Sequence, residues 1–135
     1  MVKAQLVNFE TRDHLMLPGL LYEPERKTKK ILVYLHGNGS SCVFYKTDLM
    51  NCLAETLTDN GFSFFPFNNR GANLIKKLDR KLPDGTKERV LYGMTYEIIK
   101  DCVIDIDGAI EYLTSLGYNE IYLVGSSTGA NKICV

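Results

Sequence analysis

Tryptophan is missing from this chain, histidine occurs only at His14 and His36, and Cys42, Cys52, Cys102 and Cys134 never fall in C-x-x-C spacing. So sparse a set of soft ligands makes no zinc-type cluster, and no metal is expected. The thiols read instead as reduced side chains filling space in or near the core. Net charge is missing as well. Sixteen basic residues balance sixteen acidic ones, so no long-range field draws the chain to nucleic acid or to an anionic bilayer, and a small neutral substrate would suit it. No apolar run approaches the length that crosses a bilayer, and residues 1–5 are not followed by the apolar core of a signal peptide. The expectation is a cytoplasmic protein with no membrane partner. Nucleotide motifs are absent too: no G-x-G-x-x-G follows an apolar run, and residues 125–132 lack the spacing of a phosphate loop, so no cofactor is expected. There is no repeat, low-complexity tract or linker. With 135 residues, 45% hydrophobic and 24% charged, residues 1–135 hold one domain's worth of ordinary globular composition.

What the sequence does contain is an apolar run over residues 121–124 that breaks into G-S-S-T-G over 125–129 and then into helix formers. This reads as strand, sharp turn, helix. In a G-x-S-x-G turn of that kind the central residue, Ser127, takes strained backbone angles that push its hydroxyl clear of the surface. Gly125 and Gly129 supply room where a side chain would meet the neighbouring strand or helix. The Thr128 N–H, at the start of the helix, can then face an oxygen that gains charge as Ser127 attacks. The plain alternative is a Gly/Ser-rich turn with no chemistry, and context decides between the two.

Residues 3–11 and 15–23 are apolar runs separated by Arg12 and Asp13, which reads as a hairpin with His14 in its solvated turn. Residues 31–35 are continuously apolar, as in a parallel strand covered on both faces, and run straight into H-G-N-G-S-S over 36–41. A glycine-rich turn after a buried strand offers backbone N–H groups to a ligand, and Asn38 N–H, with Gly39 as the alternative, is the expected partner of Thr128 in an oxyanion hole. His36 is a tempting base, but in an H-G turn its ring is better used bonding backbone to hold the loop, with Gly37 beside it. Residues 43–60 show helical spacing closed by Gly61, and residues 62–67 form the next strand, in which Pro66 should weaken the ladder. The charged residues 76–89 read as a solvated excursion around a Pro83-Asp84-Gly85 turn, with covering of the site the lesser alternative. Residues 97–116 are the clearest helix, with Ile99, Cys102, Val103, Ile106, Ile110 and Leu113 on one face and Gly117 as its cap.

That order calls for α/β architecture: a mostly parallel sheet with helices on both faces. Here the chain resembles the α/β-hydrolase superfamily, on His36-Gly37 with Gly39 after the third strand, Asn69-Arg70-Gly71 after the fourth, and residues 125–129 after the fifth. The resemblance implies a serine hydrolase of esterase type acting on a small-molecule acyl substrate, with Ser127 as nucleophile and the Asn38 (or Gly39) and Thr128 amides as oxyanion hole. The chain departs from many relatives in having Ser126 where they have histidine. It departs more seriously after the elbow. In this family an Asp or Glu and then a His follow the serine, yet the eight residues after Ser127 contain neither. The expectation is therefore the N-terminal part of a single α/β-hydrolase domain, truncated after the nucleophile elbow, with the triad Asp and His missing and an open sheet edge free to self-associate. A non-catalytic binding or interaction module on a hydrolase-like sheet, or an inactive fragment, is the competing reading.

Overall fold

The computed structural model describes residues 2–43 and 47–135. The two N-terminal apolar runs form a hairpin, β1 (Ala4–Glu10) antiparallel to β2 (Met16–Tyr22). β3 (Lys30–Leu35) leads into the glycine-rich turn, and α1 (Thr47–Asp59) and β4 (Ser63–Phe67) follow. The helix expected over 43–60 is present in its described part; residues 44–46 lie outside the described residues. A second hairpin, β5 (Lys76–Lys81) and β6 (Lys87–Tyr92), precedes α2 (Cys102–Ser115), β7 (Glu120–Gly125) and the short α3 (Thr128–Ile133).

Five strands make one sheet in the order β1-β2-β4-β3-β7. β4, β3 and β7 are parallel, and the N-terminal hairpin adds its strands antiparallel at one side, so the sheet is mixed. The continuous apolarity of β3 has the expected consequence. Ile31, Val33 and Leu35 are enclosed on one face with Phe65, Phe67 and the α2 residues Ile106, Ala109 and Leu113, while Leu32 and Tyr34 face α1, Tyr22 and Phe64 on the other. Helices thus cover both faces, with α1 on one and α2 on the other. Gly19 is part of this packing, because a Cβ there would lie 2.5 Å from the Phe65 ring. Both helix-ending glycines take the left-handed conformation that closes a helix, Gly61 at φ 77° and Gly117 at φ 97°.

Three features differ from the sequence-based expectations. Pro66 does not interrupt the pairing of β4 with β3, which runs unbroken through Tyr34 opposite Pro66; the β2 side, with partners only at Gly19–Phe67 and Tyr22–Phe64, is where the ladder thins. The charged segment is solvated over most of its length, as expected, but it is built as a regular β-hairpin. Its charges pair across the strands, Arg89 with Asp79 and Arg80 with Glu88 at 3.5 Å each, and Leu78 turns inward to the core. Finally, α2 starts at Cys102 and not near Glu97; the intervening residues make two 3-10 turns, Met94–Tyr96 and Ile99–Asp101, broken by extended backbone at Ile98. Ile99 and Val103 are consequently exposed, and the inward face of α2 is Cys102, Asp105, Ile106, Ala109 and Leu113.

β7 pairs with β3 and, among the described residues, with nothing on its outer edge. Tyr122 and Val124, on the α1 face of that strand, are 46% and 40% exposed. No helix among the described residues is long and apolar enough to cross a membrane.

Candidate active site

Among the described residues Ser127 is one of three non-glycine residues with positive φ, at φ 55° and ψ −126°. For an L-residue this is a sparsely populated region whose strain is of order 1–3 kcal/mol, and it persists only where the surroundings over-determine it. Here the surroundings do so. Ser126 N–H donates to the Leu35 carbonyl at 3.1 Å, Gly129 N–H to Ser126 O and Ala130 N–H to Ser127 O, each at 2.9 Å. A Cβ at Gly125 would overlap the backbone of Gly129 and Ala130, and one at Gly129 would overlap the Leu35 and His36 carbonyls. Strand β7, helix α3 and the end of β3 are in backbone contact at this turn, and both glycines are what permits it. The side chain of Ser127 is exposed.

The turn after β3 stands directly beside it. A Cβ at Gly37 would lie 3.1 Å from Ser127 Cβ and 3.7 Å from its hydroxyl. Ser40 N–H closes the turn on Gly37 O at 3.2 Å, and Gly39 at φ 63° completes it under Met94. The amides of Asn38, Gly39 and Thr128 donate to no acceptor among the described residues. Three backbone donors, two in the turn after β3 and one at the elbow, are thus without an acceptor among the described residues.

Neither histidine bonds to Ser127. His36 is 2% exposed; its Nδ1–H donates to Gly37 O at 2.8 Å and its Nε2 accepts from Asn69 N–H at 3.3 Å. Burial lowers its pKa to about 4, and the nearby Lys132 and Lys76 push the same way, so the ring is neutral with both nitrogens occupied. His14 lies on the hairpin turn, 2.8 Å from Glu10.

Behind the turn lies a buried polar cluster that the sequence reading did not find. Asn69, Arg70 and Gly71 each do a separate job in it. Asn69 meets His36 through its N–H and Lys132 Nζ through Oδ1 at 3.4 Å. Arg70, 4% exposed, donates through Nε and its own N–H to the Asp105 carboxylate at 2.8 Å and through its terminal nitrogens to Asp13, and these carboxylates hold its guanidinium charged. Gly71 leaves room for the carboxylate of Glu97, which a Cβ would overlap and which pairs with Lys132. Lys76 Nζ donates to Asn69 O at 3.3 Å, and burial lowers its pKa to about 8. One signal was available: Lys132 sits three residues after Gly129 on α3, so it must share the inward face that the glycine presents to β3. An open groove lined by Gln5, Glu23, Arg26, Glu55 and Asp59 lies at the opposite end of the sheet and shares no residue with this site.

No family model matches the sequence, and no curated protein matches it. Solved structures do match in shape. An esterase from Pyrococcus furiosus, Pf2001, superposes with a TM-score of 0.68 at 20% identity over 97% of this chain and 44% of its own. The ferulic-acid-bound Est1E of Butyrivibrio proteoclasticus gives 0.67 at 16% identity, over 94% of this chain and 45% of its own. The α/β hydrolase GrgF from a Penicillium species gives 0.68 at 17% identity, over 96% and 39%. At such identities the likeness shows the fold, which is that of the α/β hydrolases. The chain spans less than half the length of these three structures.

Proposed function

We propose that residues 1–135 are the nucleophile-bearing, N-terminal part of a serine hydrolase of esterase type acting on small-molecule carboxylic esters or related acyl bonds. The observation that carries this reading is the backbone of Ser127, strained at φ 55° between two glycines that have no space for a side chain. In the proposed reaction Ser127 Oγ attacks the acyl carbonyl, and the oxygen that gains charge is met by Thr128 N–H and by Asn38 N–H, with Gly39 as the alternative donor. The hydroxyl proton needs a base. His36 is engaged on both nitrogens and His14 is on a distant turn, so we assign the triad Asp and His to sequence outside these 135 residues.

The test is a fluorophosphonate label on the protein that carries this chain together with an Asp and His supplied downstream. Wild type and Ser126→Ala should be labelled and Ser127→Ala should not; labelling of Ser127→Ala at the wild-type rate would sink the assignment. One observation favours a second reading. Because no base contacts Ser127 among the described residues, the 135-residue chain by itself acts as a non-catalytic module or an inactive fragment.

A further inference from the structure

We infer that Lys132 is a positioning residue, which with Glu97 holds the 36–40 turn against the Ser127 elbow through Asn69 and His36. The inference rests on the serine-hydrolase reading only for what the turn is used for; the linkage itself is geometric. Lys132 is 1% exposed, and its ammonium reaches the Glu97 carboxylate, whose side chain is 7% exposed, and Asn69 Oδ1 at 3.4 Å. A charge is buried this deeply only when it is paired, and the pairing seldom repays the lost hydration. The lysine stem alone could be replaced by an apolar side chain of similar length, so filling space under the elbow does not call for an ion pair.

What the charges add is a connection between three separate segments. Lys132 belongs to α3, Glu97 to the irregular stretch before α2, and Asn69 to the turn after β4. From Asn69 the path continues to the proposed oxyanion turn. Its N–H donates to His36 Nε2 at 3.3 Å, and His36 Nδ1–H donates at 2.8 Å to Gly37 O, the carbonyl that also accepts Ser40 N–H. The orientation of the Asn69 amide shows which demand dominates. Oδ1 is turned toward Gly71 N–H and Lys132, which leaves Nδ2 buried with no partner in the described structure. An orphan donor is costly, so the two bonds to Oδ1, from Gly71 N–H at 3.0 Å and from the Lys132 ammonium at 3.4 Å, together fix that side chain's orientation. Two of the neighbouring residues follow from the same arrangement: Gly71 lacks a side chain where the Glu97 carboxylate lies, and Glu97 is drawn inward where a helix would otherwise have continued.

The test uses the 15N-labelled protein that carries this chain together with an Asp and His supplied downstream. Lys132→Met combined with Glu97→Leu removes both charges at once, so neither is stranded. The expected result is a cooperative melt with loss of the single Nδ1–H tautomer signature of His36 and displaced or broadened amide signals for Gly37, Asn38 and Gly39. A folded double variant with unmoved His36 and turn signals would overturn the inference. Should that variant fail to fold, Lys132→Arg is read the same way. It keeps the charge, but its planar fork favours Glu97 over Asn69; displaced signals support the inference and unmoved ones overturn it. Failure of both variants to fold would also overturn it, since the pair would then serve folding and not the placement of the turn. None of these signals depends on turnover. A Ser127 that takes no fluorophosphonate in the protein supplied with its Asp and His would remove the hydrolase reading and leave this linkage standing.

Discussion

The carbonyl oxygen of Leu35, at the end of β3, occupies the place where a Cβ on Gly129 would have to go. The same oxygen accepts the Ser126 N–H at 3.1 Å, so strand and elbow are locked backbone to backbone with no side chain free to yield. Gly129→Ala should therefore lie at the upper end of the overpacking range, about 3 kcal/mol. Gly85→Ala is the control. Gly85 also has a positive φ, 84°, but open space around it, so alanine there meets only conformational strain of about 1 kcal/mol. Urea unfolding of the two variants checks this; equal losses would mean that the elbow is not as tightly seated as its geometry implies.

His36 gives a pH prediction with a definite sign. Its folded-state pKa is lowered from 6.5 to about 4, chiefly by burial. In the unfolded chain the ring takes up a proton near pH 6.5, whereas the folded protein resists until about pH 4. Between those values the unfolded state binds more protons, so stability falls as the pH falls through that window, by about 3 kcal/mol in all. Glu10, held low chiefly by its bond from Lys81, and Asp13, held low against the opposing effect of its burial by Arg70, start to lose their contribution only as the pH falls through their ordinary values of 4.5 and 3.8, so Glu10 adds to the drop at the bottom of this window and Asp13 below it. Denaturation midpoints at pH 7, 5.5 and 4.5 should drop stepwise in wild type. In His36→Gln the drop over the same interval should largely vanish; an unchanged slope would assign it to another group.

Much of this arrangement was legible in the sequence because it follows from short-range rules. The run at 31–35, the glycine caps at Gly61 and Gly117 and the elbow at Ser127 are each written in adjacent residues, and the structure has a strand, two helix ends and a strained turn there. What was not legible depends on partners far apart in the chain. Asp79, Arg80, Glu88 and Arg89 look like solvated charge until a β-hairpin sets them opposite one another, and Lys76 does until its ammonium meets Asn69 O. Glu97 and Ile99 fit a helical period, yet Glu97 is drawn to Lys132, thirty-five residues on, and the helix begins later. Asn69-Arg70-Gly71 served only as a family resemblance, because its three roles depend on His36, Asp105 and Glu97, all remote in sequence. Short-range pattern shows the elements, and buried polar pairing decides where they stop.

The remaining prediction concerns the 135-residue chain expressed alone, which should hydrolyse esters negligibly and associate with itself. The first part follows from Ser127 having no base among the described residues: a neutral hydroxyl is a weak nucleophile, and general-base assistance is typically worth about 10²–10⁴-fold. Oxyanion donors alone can sustain a residual rate, about 10³–10⁴-fold over water where a triad has been removed, but only if they are held within about 0.5 Å of the productive geometry. Among the described residues β7, which carries the elbow, is paired on one side only, and a strand so placed holds its elbow less rigidly. The second part follows from the same strand. Its outer edge pairs with nothing among the described residues, its sole charged residue is Glu120 at one end, and Tyr122 and Val124 expose apolar surface beside it. An edge without internal lysine, proline or bulge is a template for another chain. Light scattering at micromolar concentration should report a dimer or larger species, and Val124→Lys should shift it toward monomer. p-Nitrophenyl acetate should be turned over no faster by wild type than by Ser127→Ala. A monodisperse monomer whose turnover disappears in Ser127→Ala would show that the base comes from within these residues.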